Sequence, residues 1–378
     1  MSDSDFDKEA LEAFQLTSLK RELAERETQL AAQEAALAAS EVEFAAFQER
    51  RPIRLAEAIA GPLARIRGAL TGSRNHEPLP VEAAPSEPAP ADPPLFYWPS
   101  LVHFHSPVPD TRILSREPTR SRLWPEHAPE QPGLEWRGDA QLRLVREELA
   151  QQEPMVFPEQ PTEDPTEFFS SNPAFAPHDA WALQAMLRHL RPRRMIETGS
   201  GWTSLLAARV NREHLGEEME LACIDPYPQD FMAGGIDGVT ELIKKPVEEM
   251  PVEYFQKLES GDVLFIDSTH TLKTGSDVTF LFGEIIPRLQ PGVVIHIHDI
   301  FLPGEYPQQW VLSGWSWNEQ YLVQAFLAFN DAFEVLLSLG WLAHRHPQVI
   351  EEAVPNFERF YPGRGGSLWI RRKMDAAP

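Results

Sequence analysis

Four short apolar runs in this chain each end in a carboxylate. The runs at residues 195–196, 221–224, 263–266 and 293–297 lead into Glu197, Asp225, Asp267 and the pair His298-Asp299. Short, nearly continuous apolar runs suit strands that are covered on both faces. In an open α/β sheet, ligands bind outside the carboxyl ends of the strands, so these acids are expected to converge on one crevice. Acids at such positions can also cap the helices that follow. The chemistry open to the set is of two kinds. Glu197-Thr198-Gly199-Ser200-Gly201 reads as a strand end and small-residue turn, with a helix following at 203–210. That order brings backbone N–H groups close to a nucleotide-like cofactor. Asp225, 28 positions beyond Glu197 at the end of the next strand, can accept both hydroxyls of a ribose. Glu197 can order the loop or meet a cationic amino group on the cofactor.

Asp267 and Asp299 supply hard oxygen ligands of the kind that suit Mg²⁺, Mn²⁺ or Ca²⁺. His270, three residues after Asp267, is a candidate general base near neutral pH, or a metal ligand. His298 is a third candidate metal ligand. His296 is assigned a structural role, facing away from His298. Trp310, Trp315 and Trp317 follow the fifth strand and are expected to wall an acceptor pocket or to pack over the sheet edge.

The elements that must hold these residues alternate strand with helix. A helix is expected from Pro177-His178-Asp179 onward, with Asp179 as its cap. Strands are expected at 195–197, 221–224, 240–244, 262–266 and 293–297, and a helix at 276–289. A helix at 319–329 and strands at 333–339 and 367–372 complete the set. Helices alternating with apolar strands predict a largely parallel, doubly covered α/β sheet.

Taken together, four stretches resemble the class I S-adenosylmethionine-dependent methyltransferases. They are Glu197-Thr198-Gly199-Ser200-Gly201, Cys223-Ile224-Asp225-Pro226-Tyr227, Phe265-Ile266-Asp267-Ser268-Thr269-His270 and Val294-Ile295-His296-Ile297-His298-Asp299. Within that class they look like the bacterial group called methyltransferase family 24, as does Asn318-Glu319-Gln320-Tyr321. The resemblance spans roughly residues 140–373. It implies a Rossmann-like, seven-stranded sheet with helices on both faces and an antiparallel last strand. It implies cofactor contact by Glu197, Gly199, Ser200, Gly201 and Asp225. From the distantly similar macrocin- and catechol-type O-methyltransferases it implies a divalent metal on Asp267 and the His298-Asp299 pair, with His270 as base. Here His298 stands where those relatives carry an oxygen ligand, and the loop is Gly-Ser-Gly-Trp rather than the fuller Gly-x-Gly-x-Gly.

The rest of the sequence bounds the reading. A net charge of -23 argues against nucleic-acid binding, and the single cysteine, Cys223, excludes a disulfide framework or a Cys-rich zinc site. No signal peptide and no membrane-spanning run is read, so a cytoplasmic protein is expected. Residues 1–50 are acidic and helix-favouring. Leu16, Leu23, Leu30, Leu37 and Phe44 fall at heptad spacing, which predicts a coiled coil and a homo-oligomer. Residues 51–76 form a basic amphipathic helix; the stretch 50–74 carries six arginines and one acid and offers peripheral membrane contact. Residues 77–94 are a proline-rich linker, and 95–165 a Pro- and aromatic-rich segment that wraps a folded body, with one helix near 139–152. Residues 166–378 are the methyltransferase domain. The expected activity is O-methylation of a sugar, glycan intermediate or secondary metabolite. The competing classes are a non-catalytic adaptor of the same fold and an NAD-dependent oxidoreductase; against the latter, the turn lacks the spacing of Gly-x-Gly-x-x-Gly.

Overall fold

The computed structural model describes residues 106–153, 155–354 and 365–374. The expected coiled coil, basic helix and proline-rich linker lie outside the described residues. Residues 94–378 form one compact unit.

Its centre is a seven-stranded sheet in the order β3-β2-β1-β4-β5-β7-β6. The strands are β1 (Arg194–Thr198), β2 (Glu220–Ile224), β3 (Glu241–Ile243), β4 (Val263–Ile266), β5 (Val294–Ile297), β6 (Phe333–Ser338) and β7 (Leu368–Arg372). β1 to β5 pair in parallel, and β7 runs antiparallel to both β5 and β6. The Rossmann-like, seven-stranded sheet with an antiparallel last strand, expected from the sequence, is therefore present. Side chains alternate between its faces. Met195, Leu221, Val263, Phe265 and Trp369 join one core, whereas Ile196, Ile224, Leu264, Ile266, Ile295 and Ile370 join the other. Every one of these side chains is below 5% exposed, which is why the strands read as unbroken apolar runs.

The register sets up the site. Thr198 lies opposite Ile224 and Ile266, and Ile266 opposite Ile297. The next residue of each strand, Gly199, Asp225, Asp267 and His298, therefore leaves the sheet at one level.

The first core is covered by α1 (Gly138–Arg143, continuing as a π-turn over Leu144–Leu149), α2 (Pro177–Leu190) and α3 (Trp202–His214). Val145 and Leu149 are buried with Leu183 and Leu206 in that core. Proline at the first position of α2 suits a helix start, because its missing N–H has no partner to lose there. Asp179 is not the cap of α2. Ala176 occupies that position without a side-chain bond, and Asp179 Oδ1 instead accepts from Ser367 Oγ at 2.6 Å.

The helix expected at 276–289 is broken into three pieces. Ser276 caps α4 (Asp277–Phe280), accepting from Thr279 N, and the chain continues as a π-turn (Leu281–Ile285) and a 3-10 turn (Ile286–Arg288). Pro287 has no N–H to offer a carbonyl one turn earlier, so the regular ladder cannot pass through it. α5 covers Glu319–Leu327. Two further helices, α6 (Leu339–Arg345) and α7 (Pro347–Ala353), follow β6 directly, because Ser338 ends the strand and caps α6 through Trp341 N at 3.1 Å. Among the described residues, no helix is long and apolar enough to cross a membrane.

Candidate active site

The first wall of the crevice is the loop from Gly199 to Gly201. Gly199 has φ +87°, and a Cβ built there would overlap the carbonyl oxygen of Asp267. Only glycine meets both demands, so the loop between β1 and α3 can lie directly on the end of β4. Ser200 N and Oγ both donate to Asp225 Oδ2 at 2.9 Å, and Tyr227 N donates to Asp225 Oδ1 at 2.7 Å. Asp225 is partly buried at the end of β2 and faces the loop, where a ribose acceptor is expected.

Glu197 lies beneath this loop, fully buried. Its carboxylate accepts from Thr203 Oγ1, from Ser204 Oγ at 2.6 Å and from Cys223 Sγ at 3.2 Å. All three donors are protein groups on α3 and β2. Of the two roles open to Glu197 in the sequence, ordering the loop is the one this geometry favours.

The second wall is built by the ends of β4 and β5. Asp267, His298 and Asp299 each bring one ligand atom within 4.8 Å of the others. His270 is buried against them. Its Nε2 is 3.4 Å from Asp267 Oδ1 and 3.6 Å from Asp299 Oδ2, and its Nδ1 is 3.0 Å from Glu319 Oε2. His270 and Asp299 adopt left-handed backbone conformations, φ 54° and 56°, which bulky residues seldom hold without enforcement. The enforcement is visible at His270: Thr269 N and Oγ1 donate to Asp277 at 2.9 and 2.6 Å, and the His270 carbonyl accepts from Asn318 N and Glu319 N at 3.1 and 3.2 Å.

The electrostatics follow from carboxylates and imidazoles sharing a dry space. Burial opposes a charged His270 ring, but its bonds to Asp267 and Glu319 and the nearby Asp299 charge outweigh that and raise its pKa well above the usual value. His298 is likewise opposed by burial, yet Asp299, Asp267 and Asp179 raise it. Burial pushes Asp267 up, but His298 and His270 together hold its carboxyl below the ordinary value. Asp299 and Glu319 are both raised, by burial first.

Asp267, His270, His298 and Asp299 line a cavity of about 580 Å³. Trp310, Trp315 and Trp317 line it as a cluster, with Trp315 centred 4.9 Å from Trp310 and 4.7 Å from Trp317. The Trp317 ring also lies 4.4 Å from His270.

Residues 196–300 match the family model of a methyltransferase domain. An uncharacterized protein of Archaeoglobus fulgidus is 32% identical over 163 residues, covering 42% of this chain and 73% of that relative. The chain belongs to the class I methyltransferases. Among solved structures, it is similar to the methyltransferase PaMTH1 of Podospora anserina bound to SAH, with TM-score 0.31, 17% identity, and coverage of 52% of this chain and 78% of that one. It is also similar to the O-methyltransferase TomG of Streptomyces achromogenes in complex with SAM, with TM-score 0.33, 16% identity, and coverage of 53% and 82%.

In this methyltransferase, the residues expected to carry chemistry fall into two neighbouring groups. Gly199, Ser200, Gly201 and Asp225 form the loop wall, and Asp267, His270, His298 and Asp299 form the cluster at β4 and β5. One placement is corrected. His296 does not face away from His298: residues two apart on a strand share a face, and the rings stack at 5.7 Å. His296 is sandwiched against Phe265 at 4.0 Å, and burial drives its pKa well below the usual value.

Two residues gained no role from the sequence. Glu319 and Gln320 sit in a stretch noted there only for its family likeness, yet Glu319 is fully buried against His270 and Gln320 braces the loop after β5. A carboxylate in the first turn of a helix ordinarily reads as a favourable dipole partner, which hides such a role.

Glu197 gives the methyltransferase a pH-dependent stability. Burial raises its pKa from 4.5 to about 7. Between those values the folded protein holds a proton that the unfolded chain has released, so stability falls as pH rises through the window, by on the order of 3 kcal/mol. Glu197→Gln is expected to remove that share of the decline. Denaturant titrations at about pH 5 and about pH 8 would measure it; an unchanged difference would assign the decline to other groups.

Proposed function

We propose that this methyltransferase uses S-adenosylmethionine to methylate a hydroxyl group, with His270 as base and with a divalent cation held by Asp267, His298 and Asp299. The observation that carries this reading is the contact between Gly199 and the carbonyl of Asp267, because it sets a cofactor-type loop against the residue that begins the ionisable cluster. A donor held on that loop and an acceptor held in the tryptophan-lined cavity would meet at the ends of β1, β4 and β5.

The donor set fits the metal. Two carboxylates and an imidazole within 4.8 Å of one another suit a divalent ion, and the imidazole widens the choice beyond Mg²⁺ toward Mn²⁺ or Zn²⁺. When bound, such an ion lowers the pKa of an acceptor hydroxyl and neutralises the carboxylates that keep His270 charged, while S-adenosylmethionine supplies the electrophilic methyl. The remaining work belongs to the chain. Asp225 accepts from ribose hydroxyls, and Gly199 to Gly201 bring a backbone free of side-chain bulk against the donor, their own N–H groups being held by the Ile224 carbonyl, Asp225 and Ser204. His270 takes the hydroxyl proton at Nε2 as the oxygen–carbon bond forms and the sulfur–carbon bond breaks. Glu319 holds Nδ1 in its donating form, so Nε2 is the nitrogen that would give up its proton and act as acceptor once the Asp267 and Asp299 carboxylates are engaged by the cation. Methyl transfer is an in-line displacement, so most of its acceleration comes from positioning.

Calorimetric titration with S-adenosylhomocysteine tests the donor half. Saturable binding is expected, weakened about tenfold or more in Asp225→Ala, the size of one lost charge-assisted pair of bonds. Binding of NAD in place of S-adenosylhomocysteine would move the protein to the oxidoreductases, and binding of neither would favour the non-catalytic adaptor.

A further inference from the structure

The cavity lining is chemically of two kinds. One is the indole cluster, whose outermost member, Trp315, is 36% exposed. An indole needed only for packing would be covered, and this one is open on the cavity side. Glu305, Gln308 and Gln309 add polar groups to the same lining.

Glu305 is held with unusual care for a loop carboxylate. Its Oε1 accepts from its own neighbour Tyr306 N at 2.8 Å, from Gln320 Nε2 at 2.9 Å and from Tyr321 OH at 2.7 Å. Gln320 is itself fixed, with its N donating to Tyr306 OH at 3.0 Å and its Oε1 accepting from Phe301 N at 3.2 Å. Three donors on one oxygen orient the carboxylate. No protein donor among the described residues reaches the other oxygen, Oε2. Nothing in the proposed methyl-transfer step uses Glu305.

An oriented acceptor beside open indoles is a recognition element. A pyranose ring has an apolar C–H face that lies on an indole and a rim of hydroxyls that donate to a carboxylate and to amides. A planar phenol has two apolar faces and little rim, and would leave Glu305 and the glutamines unmatched. Charge narrows the class further. Among the described residues, Asp179, Asp267, Asp299 and Glu305 line the cavity and no lysine or arginine does. A phosphate or carboxylate on the hydroxyl rim of the ring would face the Glu305 carboxylate, while His270 and His298 are already engaged by Asp267, Asp299 and Glu319. Resting on the methyltransferase reading above, we infer that the acceptor is an uncharged pyranoside, bound with its ring on the Trp310–Trp315–Trp317 cluster and its hydroxyls on Glu305.

Glu305→Gln is a sharp test, because glutamine keeps an oxygen for the three internal donors and replaces the outward oxygen with a donor. Tryptophan fluorescence titrations would use methyl glucoside, methyl galactoside, methyl mannoside and methyl rhamnoside as neutral probes. Methyl glucuronide and glucose 6-phosphate serve as anionic probes and catechol as the planar one. At least one neutral glycoside is expected to bind saturably, and both anionic probes about tenfold or more weakly. Glu305→Gln should weaken the glycoside about tenfold, the size of one charge-assisted hydrogen bond, and Trp315→Leu by a similar factor. Preference for catechol, equal affinity for anionic probes, binding of no glycoside, or an unaffected Glu305→Gln variant would each overturn the inference. S-adenosylhomocysteine calorimetry on the same proteins reports separately on the methyltransferase reading and on folding of the variants. Loss of that signal in the wild type would count against the parent reading, whatever the sugars do.

Discussion

Gly199→Ala is expected to cost this methyltransferase both stability and its cofactor. The residue holds φ +87°, and an added methyl would fall within the carbonyl oxygen of Asp267. Neither problem has a cheap remedy. The obstacle is backbone rather than the end of a flexible side chain, and the same peptide is anchored by Asp267 N donating to the Thr198 carbonyl at 3.0 Å. Relief therefore requires β1 and β4 to part at their ends. Strain of this kind costs on the order of 1–3 kcal/mol from the backbone conformation alone, before the overlap is counted. The same displacement would turn Ser200 away from Asp225. Affinity for S-adenosylhomocysteine should drop about a hundredfold or more, equivalent to roughly 2.7 kcal/mol, alongside a lower melting temperature. Calorimetry and thermal unfolding of the two proteins would measure both. A variant that binds and melts like the wild type would remove the loop from the donor site.

The second large effect is expected at Asp267. Asp267→Asn keeps the shape of the side chain and removes its charge. The buried His270 and His298 both lean on that charge. Methyl transfer to whichever glycoside proves to be bound should fall about a hundred- to ten-thousand-fold, the range lost when a positioned acid–base system is dismantled. S-adenosylhomocysteine should bind almost as before, because the Gly199 contact is with the Asp267 backbone and survives the substitution. Chelation of the wild type with EDTA should reproduce the loss, and adding Mn²⁺ should reverse it in the wild type but not in Asp267→Asn. Unchanged turnover in the variant would refute the assignment of the β4 and β5 strand ends.

What the sequence made legible was whatever rests on short, local pattern. The strand-end acids stood out because the strands before them are almost entirely apolar, with His296 the exception in β5, and burial on both faces of a parallel sheet writes that pattern directly. The register then had only one way to align them. Long-range partnerships were not legible. Glu319 meets His270 across 49 positions, and Asp179 meets Ser367 across 188, so neither pairing leaves a local trace. Asp179 looked like a cap because it stands at a helix start, yet the cap position had gone to Ala176. The break in the helix after Ser276 was announced by Pro287 but masked by the apolar spacing on either side of it. Helices of seven residues, such as α6 and α7, are shorter than the window in which helical periodicity can be told from a strand. The shared face of His296 and His298 follows from the two-residue period of the strand alone.

The loop between β5 and α5 is tied at both ends to parts of the molecule that do not depend on its contents. At its start, Ile300 N donates to the Gly366 carbonyl at 2.8 Å. At its end, Asn318 N and Glu319 N are fastened to the His270 carbonyl. Between these clasps, Glu305, Trp310 and Trp315 can be replaced without breaking either one, whereas Leu302 is built into the core and Trp317 packs on His270. In evolutionary terms the stretch from 303 to 316 would serve as an exchangeable cassette. A new acceptor can be reached by drift within it while the reacting centre is inherited unchanged, and grafting the equivalent stretch from a relative is the natural route to redirecting the enzyme.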